Sequence, residues 1–356
     1  MTAFTPSCLP LLIGSLPLAD HREATRLIFD ATPEIPLWPQ LPMYREEGMV
    51  RQFLSGLPGV REEDGKTAID SDGELFAEET LAFYEEYLAV AEGGAPLDGS
   101  RFALEEAAGR GFAVFLEEVA LRRDRLQALK GQTTGPFTFC TALCDRDGRA
   151  IFYNDQLRDL AVKHLALKAR WQTQKMAALC GRTIMFFDEP ALAGLGSSAF
   201  ISISQEDIGA CLEEVFAGVR AENGLVGVHV CANTEWPTVF ASGLDIISFD
   251  AYGYFDRLVL YAEHLRQFFA RGGILASGIV PTSPQFIGGE DSASLTDRWL
   301  EQLRQLTAIG IDEQQVVRQT LITPSCGTGA LSRAEAEKVL LLTREVSAEI
   351  RRRFGC

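Results

Sequence analysis

Several absences narrow what this sequence can be. No uninterrupted apolar run approaches the ~20 residues a membrane-spanning helix needs, although the mean hydropathy is slightly positive at +0.04. No basic residue precedes Leu9-Pro-Leu-Leu-Ile13, so a secretory signal is not expected. Positive charge is scarce. Lys and Arg number 33 against 49 Asp and Glu, a formal net charge of −16, which argues against non-specific binding to nucleic acid or an anionic membrane. The glycine fingerprint of a dinucleotide-binding first strand is missing. There is no low-complexity tract and no sequence repeat.

Cysteine is sparse and irregular: Cys8, Cys140, Cys144, Cys180, Cys211, Cys231, Cys326 and Cys356. Such spacing in a long chain suggests no disulfide framework, and a cytoplasmic chain with mostly reduced thiols is expected. Cys180 and Cys211 sit in helix-like runs and read as core residues. Cys140 and Cys144 have a weak metal-binding spacing, and Cys356 reads as inert.

What is present is a large apolar inventory, 47% of 356 residues, ordered in alternating segments. Strand-like runs are Leu11–Ser15, a strand and loop within 126–139, Thr183–Phe187, Val226–Val230, Ile246–Phe249, Gly273–Ala276 and Val316–Ile322. Helical spacing covers about 21–29, 77–92, 103–122, 155–180, 205–221, 235–241, 256–270, 293–308 and 332–352. Ile35–Pro42 is too proline-rich for a central strand, and the Pro281–Ser292 region reads as a loop. Regular β–α alternation implies a parallel sheet. Roughly eight units fit a single (β/α)8 TIM barrel over residues 1–356, with a doubly wound sheet as the alternative.

In such a barrel the chemistry belongs at the C-terminal strand ends. His229 and Cys231 are two apart on one strand, so both side chains point the same way. Asp188 and Glu189 end the strand before, Asp250 the strand after. Ser277 and Gly278 follow the next strand, and Cys326 follows the last. His229, Cys231 and Cys326 would make an open nitrogen–sulfur site for Zn2+. Two thiolates and a neutral imidazole leave the complex uncharged, ill suited to activating water and well suited to holding a substrate thiol. Asp250 could complete the shell. The bland alternatives are a Cys231–Cys326 disulfide, and strand-end acids that merely cap helices or anchor loops.

Ile13-Gly-Ser-Leu-Pro17, Gly135-Pro-Phe-Thr138, Asp188-Glu-Pro-Ala-Leu192, His229-Val-Cys231, Ile246–Asp250 and Thr323-Pro-Ser-Cys-Gly327 follow one another in a familiar order. Together they resemble the catalytic barrel of cobalamin-independent methionine synthase, within the superfamily that includes uroporphyrinogen decarboxylase and corrinoid-dependent methyltransferases. The resemblance implies zinc on His229, Cys231 and Cys326, with Asp250 standing where the family has a glutamate ligand. It implies that Ser15 binds a substrate carboxylate and that Asp188, the catalytic candidate, sits near the substrate's amino group or just behind it. Glu189 is a further substrate-binding candidate, its structural alternative being to anchor the barrel mouth. The family's amine-binding glutamate falls at Arg45, with Glu46 and Glu47 adjoining, and Arg45 could meet an anionic thiol. The family's general-acid histidine has no counterpart after Ile274–Gly278.

The expected activity is therefore methyl transfer to a small thiol such as homocysteine. The expected donor is a methylcorrinoid, free or on a corrinoid protein, in preference to methyltetrahydrofolate, which needs a proton on its departing amine. A metal-free lyase and a non-catalytic zinc or corrinoid-binding module are the competing readings. Trp38 and Trp236 are candidates for lining the mouth. His21, His164 and His264 lie on helical stretches and read as surface or satisfied core residues.

Overall fold

A computed structural model describes residues 4–63, 65–197, 200 and 202–356. The strands are β1 (Val60–Glu63), β2 (Lys66–Ile69), β3 (Leu129–Thr134), β4 (Cys144–Asp145), β5 (Thr183–Asp188), β6 (Leu225–Val230), β7 (Ile246–Phe249), β8 (Ile274–Val280) and β9 (Thr320–Pro324). The helices are α1 (His21–Ala31), α2 (Phe76–Ala91), α3 (Arg110–Leu121), α4 (Pro136–Ala142), α5 (Asp155–Ala177), α6 (Gln205–Arg220) and α7 (Trp236–Ala241). They continue with α8 (Ala251–Leu258), α9 (Ala262–Ala270), α10 (Pro284–Ile287), α11 (Ser292–Ala308), α12 (Glu313–Arg318) and α13 (Arg333–Phe354).

Six strands form one curled parallel sheet in the order β3-β5-β6-β7-β8-β9. Both faces are buried, which is why these strands are near-continuous apolar runs instead of alternating ones. Ile184 and Phe186 of β5 point to the concave side, with Ile246, Ile274 and Leu321. Met185 and Phe187 of the same strand point outward into the helix-packed core. α5 lies over β3 and β5, and α6 over β6. Helix boundaries follow local chemistry. Ser332 and Glu335 form the expected reciprocal cap on α13, and left-handed Gly355 ends it.

The regular ladder has six strands where eight units were expected. Two extended segments flank it, joined by isolated parallel bridges and scattered backbone hydrogen bonds instead of a continuous ladder. Pro10 bridges Ile322 of β9, Leu37 bridges Lys130 of β3, and Ser15 bridges Gln40 between the two segments. The reason lies in composition. Pro10, Pro17, Pro36, Pro39 and Pro42 lack the N–H that a ladder needs, so neither segment sustains regular pairing. The Leu11–Ser15 run is thus no regular strand; Leu11 N donates to the Ile322 carbonyl, and the Gly14 and Ser15 carbonyls accept from Gln40 N and Thr328 N.

Other expectations shift locally. The predicted strand Val316–Ile322 splits, its first half forming α12 and its second half β9. The predicted helix 256–270 is two helices, α8 and α9, and the helix expected from 103 starts at Arg110. The hairpin β1–β2, extended by β4, was not anticipated, because its charged residues carry no alternating apolar signal. No helix among the described residues is long and apolar enough to cross a membrane.

Candidate metal centre

His229 is the fifth residue of β6, and Cys231 follows its end. Cys326 lies two residues past β9. Curling of the sheet brings the two ends together. One ligand atom from each of His229, Cys231 and Cys326 lies within 4.8 Å of the others. Among the described residues this is the one group of three or more potential ligands so arranged, and the Cys140–Cys144 spacing does not build a second. Both thiols are free, so they form no disulfide. The tight turn after Cys326 requires glycine: a Cβ on Gly327 would sit 2.2 Å from Ser15 Oγ.

The imidazole is fixed from behind. His229 Nδ1 lies 2.9 Å from Ser248 Oγ on β7, its register partner in the sheet. His229 is 3% exposed, and its Nε2 has no hydrogen-bond partner. A buried ring nitrogen without a partner is costly unless something binds it. Burial, with the charge of Lys130 next, drives its pKa down to about 3, which keeps the ring neutral and able to act as a ligand. A hydrogen bond from Cys326 draws the Cys231 thiol down to about 7. The same bond, together with burial, pushes Cys326 upward, so the pair sheds its first proton as a unit.

The three side chains sit at the floor of a cavity of about 380 Å³ that Ser15, Glu47, Met49 and Asp188 also line. That volume suits a small ligand. Asp188, across the β5–β6 ladder from His229, is buried with Oδ1 unpartnered. Burial raises its carboxyl to about 7, against the pull of Lys130. Ser15 belongs to the cavity as expected. Its Oγ accepts from Gly329 N at 3.2 Å, leaving its own proton free to donate.

Other residues stand elsewhere. Asp250 is not in the ligand cluster; its carboxylate accepts from Gly253 N at 2.8 Å and caps α8. An acid that ends a strand and opens a helix is claimed by the helix's free N–H groups. Burial lifts it to about 6. Glu189 is buried away from the cavity and accepts from Phe137 N, Thr138 N and Thr138 Oγ1. It anchors the start of α4, and burial raises it to about 7 despite those bonds. Arg45 does not reach the cavity. Its exposed guanidinium pairs with Glu62 and the Gly65 carbonyl, because the hairpin supplies a nearer carboxylate. Glu47 lines the cavity instead, with Oε1 held 2.6 Å from His21 Nε2 and Oε2 accepting from Leu41 N at 2.7 Å. Trp38 and Trp236 are fully buried and do not line the mouth.

Sequence reasoning assigned no role to Ser248 or Lys130. Ser248 was findable, being two residues before Asp250 on the same face of β7. Lys130 was not, since a lysine in a strand ordinarily points to water. Here it is sealed on the concave side, donating to the Ile13 carbonyl at 2.5 Å and to Gln132 Oε1 at 3.2 Å. Its Nζ sits 4.6 Å from the Phe186 ring centroid.

No family model matches the sequence, and no curated protein matches it. Solved structures do match. A methyltransferase from Methanosarcina mazei superposes with a TM-score of 0.50 at 14% identity, over 91% of this chain and 84% of its own. An ochratoxinase from A. niger matches 81% of this chain and 71% of its own at 13% identity, with a TM-score of only 0.27. At such identity the likeness to the Methanosarcina protein is one of fold: an α/β architecture around a curled parallel sheet.

Proposed function

We propose that this protein is a zinc-dependent methyltransferase acting on a small thiol. The observation that carries the reading is the convergence of His229 Nε2 with the Cys231 and Cys326 sulfurs within 4.8 Å at the floor of a cavity. The donor set is neutral imidazole and two soft sulfurs, one of them already acidic, which fits zinc. Zinc held there would supply the acidity that keeps an incoming thiol ionised near neutral pH.

The remaining chemistry belongs to the chain. Ser248 holds the His229 ring with Nε2 toward the cavity. Ser15 offers a hydroxyl proton to the bound molecule, and Asp188 faces it from the β5 end. The acceptor sulfur forms a bond to the donor's methyl carbon as that carbon's old bond breaks, and the electron pair leaves with the donor. A methylcorrinoid suits this site better than methyltetrahydrofolate. Among the described residues lining the cavity, His229 is the one histidine, and it is committed to the proposed metal set, so no second histidine stands ready to protonate a departing amine. The two proline-rich segments would complete an eight-unit barrel. The Methanosarcina protein of similar fold is a methyltransferase, in keeping with this reading.

The test is zinc quantification on the wild type and on Cys326→Ser, followed by a thiol-alkylation screen with methylcobalamin. The wild type should carry one zinc per chain and methylate a thiol, and the variant should lose both. Full zinc in the variant removes Cys326 from the shell. One observation favours a second reading: Asp188, buried in the cavity with a raised pKa, could serve a metal-free lyase. A wild type with no affinity for zinc would select it.

A further inference from the structure

The cavity floor accounts for a sulfur; its walls bear on what else the acceptor carries. Among the described residues lining the cavity there is no Lys or Arg, and the fixed charges are the two acids, Glu47 and Asp188. The nearest candidate cations are all spoken for. Lys130 lies sealed below, donating to the Ile13 carbonyl and Gln132. Arg45 and Arg51 both pair with Glu62 on the hairpin. Glu47 is equally committed, its two oxygens held by His21 and by Leu41 N. The rest of the wall is largely apolar, built by Ile13, Pro42, Met49, Pro190 and Ala330.

An anionic tail entering this space would leave water without a counter-ion and face two acids. It would be met only by neutral side-chain donors: the Ser15 hydroxyl and the second N–H of Gln40, whose other N–H goes to Gln52, while the Thr134 hydroxyl is given to the Met49 carbonyl. That desolvation is expensive. A hydrocarbon tail gains by contact with the wall. On the thiol-methyltransferase reading, on which this rests, we infer that the acceptor is a short thiol whose body carries no anionic group. That differs from the amino-acid thiol the sequence resemblance implies.

The experiment uses cobalt(II)-substituted protein, whose visible spectrum reports a new thiolate ligand. It is titrated with propanethiol and mercaptopropionate, which are close in reach and differ in their far end: neutral and anionic. Propanethiol should bind tighter than mercaptopropionate by roughly tenfold or more. Met49 is 48% exposed at the rim, so a Met49→Lys variant should fold, and the added cation should strengthen mercaptopropionate severalfold. Mercaptopropionate binding as tightly as propanethiol in the wild type overturns the inference while leaving the thiol site intact. A cobalt spectrum that no thiol perturbs is a separate failure. It removes the thiol reading itself and the inference with it.

Discussion

His229 Nδ1 and Ser248 Oγ stand 2.9 Å apart on adjacent strands, and this contact decides which ring nitrogen faces the cavity. With the proton on Nδ1 donated to Ser248, Nε2 keeps its lone pair for a metal. Ser248→Ala should therefore weaken zinc binding by roughly 10–100-fold without unfolding the chain, and Ser248→Thr should restore most of it. A chelator-competition titration measures both. Wild-type affinity in the alanine variant would mean that the imidazole is oriented by packing alone.

Metal affinity should depend steeply on pH. The Cys231 thiol, helped by its hydrogen bond from Cys326, loses its proton at about 7. Binding must displace the protons of both thiols. Apparent zinc affinity should climb from about pH 6 to about pH 8, with protons released on binding. A flat profile across that window would contradict the thiol pair as ligands.

Asp250→Asn separates capping from ligation. Asn still caps a helix, so zinc content should be unchanged. The stability effect has a definite sign. Burial raises the folded-state pKa of Asp250 to about 6, above the ~3.9 of an unfolded aspartate. The wild type therefore holds a contribution that is full in acid and is lost as pH rises through about 6. The Asn variant lacks that loss, so its melting temperature relative to wild type should improve from acid to neutral pH. Loss of zinc from this variant would return Asp250 to the ligand set.

Glu189→Ala should be among the costly single changes near the mouth. It strips acceptors from two backbone N–H groups and a hydroxyl at the start of α4, worth about 1–3 kcal/mol of unfolding free energy. Chemical denaturation measures it. A neutral result would show that water replaces the carboxylate there.

Arg45→Ala should do almost nothing. Its pairing with Glu62 is exposed, so stability should move by less than ~0.5 kcal/mol. Thiol titration of the cobalt form should be unchanged. A large change in thiol affinity would restore Arg45 to the binding machinery.

Much of the sheet was legible because its strands are buried on both faces and so appear as apolar blocks. The β5, β6 and β7 runs fall where the apolar pattern puts them. The grouping of His229, Cys231 and Cys326 was legible for a similar reason: period-two alternation puts His229 and Cys231 on one face, and Cys326 follows the last strand. What escaped was set by tertiary competition. Arg45 took the nearer acid of a hairpin that apolar patterning cannot signal. Asp250 was claimed by the backbone of the helix it opens. The two proline-rich segments beside the six-stranded sheet form no regular ladder.

Those two segments have one further consequence. Ile13, Ser15, Gln40 and Pro42 line the cavity, yet their stretches of backbone are held by isolated bridges and scattered hydrogen bonds in place of a continuous ladder. The opposite wall is anchored in continuous ladders. Amide hydrogens near Ser15 and Gln40 should therefore exchange with solvent well before those of β5 and β6. The pocket has one stiff side and one compliant side, and small molecules would enter past the compliant one.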